Sequence, residues 1–348
     1  MSCDDLKEMK RRGASLLILF MSFSCTTSFL TGIARHTKSI SSSCSSLAST
    51  VPSPSLDSFN PIGPPSILSE LLVGEAFSIT DSTINRLSKS PDIFLIKAFL
   101  SQNDRDVLMQ AASNQGLKMA GTRNSEINTI RKNSYLTWID PHNISGEHDA
   151  EALKIAKEMV FKSGAYCVHE ALHKVIAEGG KVDYFFAEDV QVAKYDADGR
   201  FGYHHDGYSR YLTVLVYLNG IGGTYFPFAN LGCDVHAIDN AVEESAVEIA
   251  RKSKDVGKDG LLIVGKEGAG PYITSGHDAP LKSVFEIEAG DAVAFYSYKP
   301  SGDKEWRALH CSLPVPEEKW IATCWFRSEA LTGPFSYLKK EALLESVQ

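Results

Sequence analysis

The chain has 348 residues, a formal net charge of -8, 43% hydrophobic and 22% charged residues. That length supports a sizeable core, the composition is that of a globular protein, and the acidic balance excludes the basic footprint of a nucleic-acid binder. The cysteines include no C-x-x-C pair, which excludes a zinc ribbon. Cys167, Cys233, Cys311 and Cys324 remain available for disulfides in an oxidising compartment.

Lys7, Lys10, Arg11 and Arg12 precede the apolar run Ala14 to Phe23, the pattern of a secretory signal peptide. Gly13 to Ala34 carries no charge and is long enough to span a bilayer, so an N-terminal membrane anchor is the rival reading. No acidic residue occurs between Glu8 and Asp57, and Ser39 to Ser55 is rich in serine. Such a stretch buries too little apolar surface to order itself. A signal followed by an acid-poor, Ser-rich stretch also resembles the bipartite plastid presequences of algae with secondary plastids. The expected destination is therefore the secretory pathway (endoplasmic reticulum) or a plastid. Residues 1–60 are read as presequence and disordered segment, 61–91 as a linker with a helical preface over Ile67 to Leu87, 92–328 as the folded domain, and 329–348 as a tail.

Within the domain, Asp92 to Leu100 reads as a strand leading into a helix, with Ser101 as N-cap and Asp104 and Asp106 near the helix start. Ser134 to Ile139 is a second strand. Glu147 to Glu178 carries apolar residues at helical spacing (Ala152, Ile155, Ala156, Met159, Val160, then Val168, Ala171, Leu172, Val175), and Gly164 is expected to divide it into two helices. From Val182 short β-rich runs follow: Val190 to Tyr195, Tyr211 to Leu218, Thr224 to Phe228, Leu261 to Val264, Ser283 to Ile287, Ala292 to Tyr296 and Trp320 to Phe326. Helices first and many short strands after them predict a sandwich or barrel buttressed by helices.

The chemistry is concentrated in Phe201-Gly202-Tyr203-His204-His205-Asp206. On an extended strand residues i and i+2 share a side, so His204 and Asp206 can chelate one metal while His205 points away. A further histidine, His310, stands in Leu309-His310-Cys311-Ser312-Leu313-Pro314. Two imidazoles and one carboxylate form a facial triad that leaves coordination positions open for non-haem iron chemistry. Lys319 lies downstream of His310, and a cation buried there would need an anion to offset its desolvation. The bland alternatives are surface histidines beside an acid and a solvated lysine.

The order Tyr195, His204-x-Asp206, Thr213 to Asn219, Gly222-Gly223-Thr224-Tyr225-Phe226-Pro227, Glu288 to Phe295 and His310 to Arg327 resembles the prolyl 4-hydroxylase branch of the Fe(II)/2-oxoglutarate-dependent dioxygenases. An upstream Arg131-to-Ser134 segment is similar to the R-x-S of that branch. The resemblance implies an α+β fold, a double-stranded β-helix (jelly roll) buttressed by N-terminal helices. It implies His204, Asp206 and His310 as Fe(II) ligands and Lys319 as partner of the distal carboxylate of 2-oxoglutarate. Tyr195 would hydrogen-bond near that carboxylate, and Thr224 and Trp325 would line the co-substrate pocket. Thr213 lies nearby on a core strand, with packing an equal reading. O2 is the oxidant and ascorbate the reductant that the resemblance implies. The implied reaction couples oxidative decarboxylation of 2-oxoglutarate to hydroxylation of an unactivated C–H bond, on a peptidyl proline or, as the alternative, on another residue or a small molecule. A catalytically silent jelly-roll binding module is the third reading. The sequence leaves the oligomeric state open.

The chain departs from that branch in several places. Glu317-Glu318 replace a glycine-containing loop that is one residue longer, Cys324 stands where a basic residue is common, and the segment after Asp206 is short. Ala229 to Lys282 reads as a long insertion with an acidic helix over Asn240 to Ala250, either a surface excursion or a lid near the metal mouth. Gly222-Gly223 reads as a tight turn, Gly265 to Gly270 as no phosphate loop, and Asp291 as a turn residue. Asn143-Ile144-Ser145 is a glycosylation sequon.

Overall fold

The computed structural model describes residues 63–120, 130–140, 146–168, 187–207, 209–229, 243–252, 260–265, 283–314 and 316–327. The presequence, the sequon, Cys233, the expected second helix after Gly164 and the C-terminal tail lie outside the described residues. No helix among those described is long and apolar enough to cross a membrane.

A short helix α1 (Ser66–Glu70) is followed by β1 (Ala76–Ile79), β2 (Ser82–Lys89) and β3 (Asp92–Lys97). The helical preface expected over Ile67 to Leu87 is thus mostly a β-hairpin. Thr80 takes a positive φ of 48° in a two-residue turn that sets Ile79 opposite Ser82. Arg86 then stitches the hairpin to α1 by donating to the carbonyls of Leu68, Ser69 and Leu71, and it pairs with Asp92.

Helix α2 (Gln102–Gln115) starts where its N-cap predicted: the Ser101 hydroxyl accepts from the Asp104 amide at 3.2 Å. It ends at Gly116, whose φ of 83° is one that side-chain-bearing residues rarely adopt. Next come β4 (Lys118–Met119), β5 (Arg131–Ile139) and helix α3 (Glu147–Cys167). Gly164 does not break α3. It is buried between Ser163 and Ala165, and packing outweighs its propensity cost of about 1 kcal/mol.

The remaining elements are β6 (Val190–His204), β7 (Arg210–Tyr217), β8 (Thr224–Phe226), α4 (Glu243–Lys252), β9 (Leu261–Gly265), β10 (Ser283–Ile287), β11 (Ala292–Tyr296), β12 (His310–Ser312) and β13 (Lys319–Arg327). Among the described residues 13 strands join in the order β1-β2-β3-β11-β7-β13-β6-β12-β8-β9-β10, with β5 also pairing β6 and β4 pairing β5. The hinge of this arrangement is β6, whose 15 residues serve two sheets. Gln191 to Tyr195 pair with β13, and Phe201 to His204 pair with β12. Consecutive core strands therefore cross between the sheet β11-β7-β13-β6 and the sheet β6-β12-β8-β9. That winding is the double-stranded β-helix, a jelly roll.

Two sequence expectations change here. β9 falls within the stretch 229–282 that reads as an insertion, yet it pairs antiparallel with β8 and parallel with β10. Leu261 to Val264 is thus a core strand flanked by longer connections. The approach is close: a Cβ on Gly222 would meet the Val264 carbonyl carbon at 2.6 Å, so glycine is required there for backbone contact with β9. Asp291 is more than a turn residue. It is buried and accepts from the Lys97 ammonium (2.6 Å) and from the amides of Ala98 (3.0 Å) and Glu288 (2.8 Å), fixing β11 to the end of β3.

Alternation sorts the core into two layers. Val190, Val192, Leu212, Val214, Val216, Trp320, Ala322, Cys324 and Phe326 pack outward against Leu108 and Ala111 of α2 and Ile155, Ala156 and Met159 of α3. The intervening Ala193, Tyr195, Tyr217, Val293, Phe295 and Ile321 face the barrel interior. Cys167, Cys311 and Cys324 are buried free thiols. The interior layer carries the site.

Candidate metal centre and co-substrate pocket

His204 is the last residue of β6 and His310 the first of β12, and the two are register partners. The strand start at His310 is what brings the two imidazoles to 4.3 Å between ring centroids. Asp206 stands just beyond the end of β6, so the chelating i, i+2 pair straddles the strand terminus. One ligand atom from each of His204, Asp206 and His310 lies within 4.8 Å of the others. The His204 Nε2 to Asp206 Oδ1 distance is 3.8 Å.

The donor set fits a divalent iron. His204 Nδ1 lies 2.9 Å from the Gly202 carbonyl and His310 Nδ1 lies 3.0 Å from the Ala308 carbonyl. A carbonyl only accepts, so each Nδ1 carries the proton and each Nε2 offers its lone pair to the cluster. Burial, with His310 alongside, pushes the His204 imidazolium well down and keeps the ring neutral. Burial opposes ionisation of Asp206. The neighbouring imidazoles of His310 and His204, Arg210 and the Thr213 hydroxyl together outweigh it and hold the carboxyl down at about 2. His310 is wedged between Phe295 (4.7 Å) and Phe226 (5.4 Å). His205 points away as expected: its Nε2 faces the Ser297 carbonyl at 2.9 Å and its Nδ1 accepts from the Gly207 amide at 3.1 Å.

Deeper in the barrel, Lys319 opens β13 opposite Tyr195. Its side chain is 1% exposed, its ammonium donates to the Ser312 hydroxyl, and it lies 4.5 Å from the centroid of the Tyr195 ring. Ser312 is the register partner of Thr224, whose hydroxyl accepts from Tyr217 at 2.7 Å. Lys319, Ser312, Thr224, Tyr217 and Tyr195 thus make one polar floor inside an apolar barrel. No carboxylate among the described residues pairs with Lys319, and burial lowers its ammonium to about 7. A buried cation in that state fits a small dicarboxylate.

Residues 190–327, the segment that supplies all of these groups, match the family model of the 2OG-Fe(II) oxygenase superfamily. That segment has the sequence pattern of a 2OG-Fe(II) oxygenase domain. A search of curated protein sequences returned no match. Solved structures similar to the chain include a viral collagen prolyl hydroxylase from Paramecium bursaria Chlorella virus-1 in complex with 2OG (23% identity over 69% of this chain and 96% of that one, TM-score 0.36). A Pseudomonas putida prolyl-4-hydroxylase is 16% identical over 70% of this chain and 95% of its own, TM-score 0.36. A Trichoplax adhaerens prolyl hydroxylase in complex with a hypoxia inducible factor oxygen degradation domain peptide fragment is 17% identical over 68% and 83%, TM-score 0.36.

Among the expected pocket residues, Trp325 stands far along β13 from Lys319. Trp325 is six positions along β13 from Lys319, about 20 Å at 3.3 Å per residue. It is level with Thr213, under the Arg210 guanidinium (4.0 Å) and beside Trp138 (5.8 Å). Arg210 and Arg327 share Glu188, at 2.7 and 3.1 Å, so Arg327 lies at the end of β13 away from Lys319. The sequence reading also assigned no role to Phe201, which stacks on His204 at 3.6 Å with Arg131 over its other face at 3.6 Å. Period-2 alternation applied to His310 would have found Ser312. No local signal marks Arg210 or Phe201, because both acquire their neighbours only when β6, β7 and β13 pair.

Proposed function

We propose that this oxygenase is a prolyl 4-hydroxylase acting on peptidyl proline, with His204, Asp206 and His310 holding Fe(II). The observation that carries the peptide reading is the Trp325 indole N–H, buried and without a partner among the described residues, under the Arg210 guanidinium. An indole face packs against a pyrrolidine ring, while the orphaned N–H can donate to a flanking peptide carbonyl. When bound, Fe(II) supplies O2 activation coupled to decarboxylation of 2-oxoglutarate, with ascorbate as reductant. Lys319 then neutralises the distal carboxylate, and the Ser312 and Thr224 hydroxyls are placed to donate to it. Burial raises the Tyr195 hydroxyl, so it stays a proton donor to the same anion. Phe226 and Phe295 keep water from the side of His310 that faces away from the mouth.

A second reading, hydroxylation of a small molecule, is favoured by one feature: β7 begins at Arg210, so little chain is available after Asp206 to wrap a peptide. The deciding experiment measures succinate release with a proline-rich peptide, with free small-molecule acceptors and with neither, together with the mass of the peptide. Peptide-stimulated turnover with one added oxygen per modified proline is expected; stimulation by small acceptors alone would replace the prolyl reading. Residues 1–60 support routing to the endoplasmic reticulum or a plastid, and a fluorescent fusion of that segment distinguishes these destinations.

A further inference from the structure

The two oxygens of Asp206 have different surroundings. Oδ1 faces His204 Nε2 at 3.8 Å, whereas Oδ2 accepts a hydrogen bond from the Thr213 hydroxyl. Asp206 lies past the end of β6, so no strand ladder fixes its position, and its side-chain contacts must set its orientation. Thr213 is fixed. It is 1% exposed in the middle of β7, paired with Phe295 of β11 on one side and Trp325 of β13 on the other. A carboxylate beside a metal can offer one oxygen or both. An octahedral ion held by two imidazoles and one carboxylate oxygen keeps three positions free, and a chelating carboxylate would leave only two. A chelating keto acid together with O2 needs three.

We propose that Thr213 is a positioning residue that ties down Oδ2 and so restricts Asp206 to one-oxygen coordination, keeping the third position open. This rests on the metal-site reading above. Removing the hydroxyl while keeping the shape, as in Thr213→Val, frees Oδ2 to reach the metal. Metal binding is then retained, but the keto acid must displace an oxygen to chelate.

The test uses the full chain loaded with Co(II), whose visible spectrum reports coordination, and calorimetric titration with 2-oxoglutarate. Thr213→Val should bind Co(II) at least as tightly as the native protein, show an altered Co(II) spectrum, and bind 2-oxoglutarate about tenfold more weakly, the weakening falling on the keto acid because the freed oxygen competes for its position. Thr213→Ser, which keeps the hydroxyl and loses the methyl, should restore both spectrum and affinity. Thr213→Ala serves in place of valine should that substitution disturb the strand. An unchanged spectrum with 2-oxoglutarate affinity within twofold of native overturns the proposal. So does a serine variant as impaired as valine, since packing would then be the cause, or a valine variant that loses Co(II). A native protein that binds no Co(II) instead removes the metal-site reading itself.

Discussion

Lys319 has a charge that the fold makes conditional. Burial brings its ammonium to about 7 in the free protein, and a bound dicarboxylate raises it again. Between those two values binding takes up a proton, so a rise in pH opposes it. The dissociation constant for 2-oxoglutarate should be flat below about pH 7 and then rise by up to about tenfold per pH unit. Calorimetry in buffers of different ionisation enthalpy checks both the slope and the proton uptake. Lys319→Ala should raise the 2-oxoglutarate requirement sharply and leave the circular dichroism spectrum unchanged. His310→Ala removes one of the two imidazole donors and should abolish one-to-one Co(II) binding while Lys319→Ala retains it. Of these groups, His204, Asp206, His310 and Lys319 were legible in the sequence because each is a reactive residue type at a recognisable spacing. Ser312, Tyr217 and Arg210 were not, since a hydroxyl or a guanidinium on a strand looks the same whether it faces a pocket or water.

At the level of elements, α4 contributes what a bare strand pair could not. Its Ala246 and Ala250 pack with Phe228, Trp306 and Leu309 and against Tyr203. Tyr203 precedes His204, Leu309 precedes His310, and Trp306 touches His205 at 5.1 Å. The helix therefore braces both histidine-bearing strands from behind. Ala246→Leu overfills that contact, at a cost of about 1–3 kcal/mol, and should weaken Co(II) binding more than it weakens 2-oxoglutarate binding to the loaded protein. Equal, near-native values for both would show that the brace is slack. The acidic helix itself was readable from its composition, and so were the N-cap of α2 and the runs that became β7, β11 and β13. β1 and β2 were missed because Ile79, Ile84 and Leu87 also suit a helical reading until the turn at Thr80 is known. β9 was read as a β-rich run, but its place in the core was hidden because Leu261 to Val264 lies amid glycines within the stretch read as an insertion, and only its pairing with β8 makes it core. The extra length of β6 was hidden by Gly199 and Gly202, residues that ordinarily punctuate strands.

Across the whole molecule, the continuous sheet makes the site and the fold one cooperative unit. Phe94, fully buried and edge-on to Tyr296, sits between the hairpin and the barrel. Phe94→Ala should cost about 3–5 kcal/mol and shift a single calorimetric transition instead of splitting it. Saturating Co(II) with 2-oxoglutarate at about 100 times its dissociation constant should recover about 2.7 kcal/mol; two separate transitions would contradict a single unit. The position of β13 has a further consequence, for biosynthesis. It is the last described strand in the sequence, yet it lies between β7 and β6 in the middle of the sheet. A chain leaving the ribosome therefore carries His204, Asp206 and eventually His310 while two inner strands still present open edges and Lys319 is absent. The unpaired edges of that interval are what chaperones and proteases recognise. A premature stop before Lys319 removes β13 and would thus yield an aggregation-prone polypeptide.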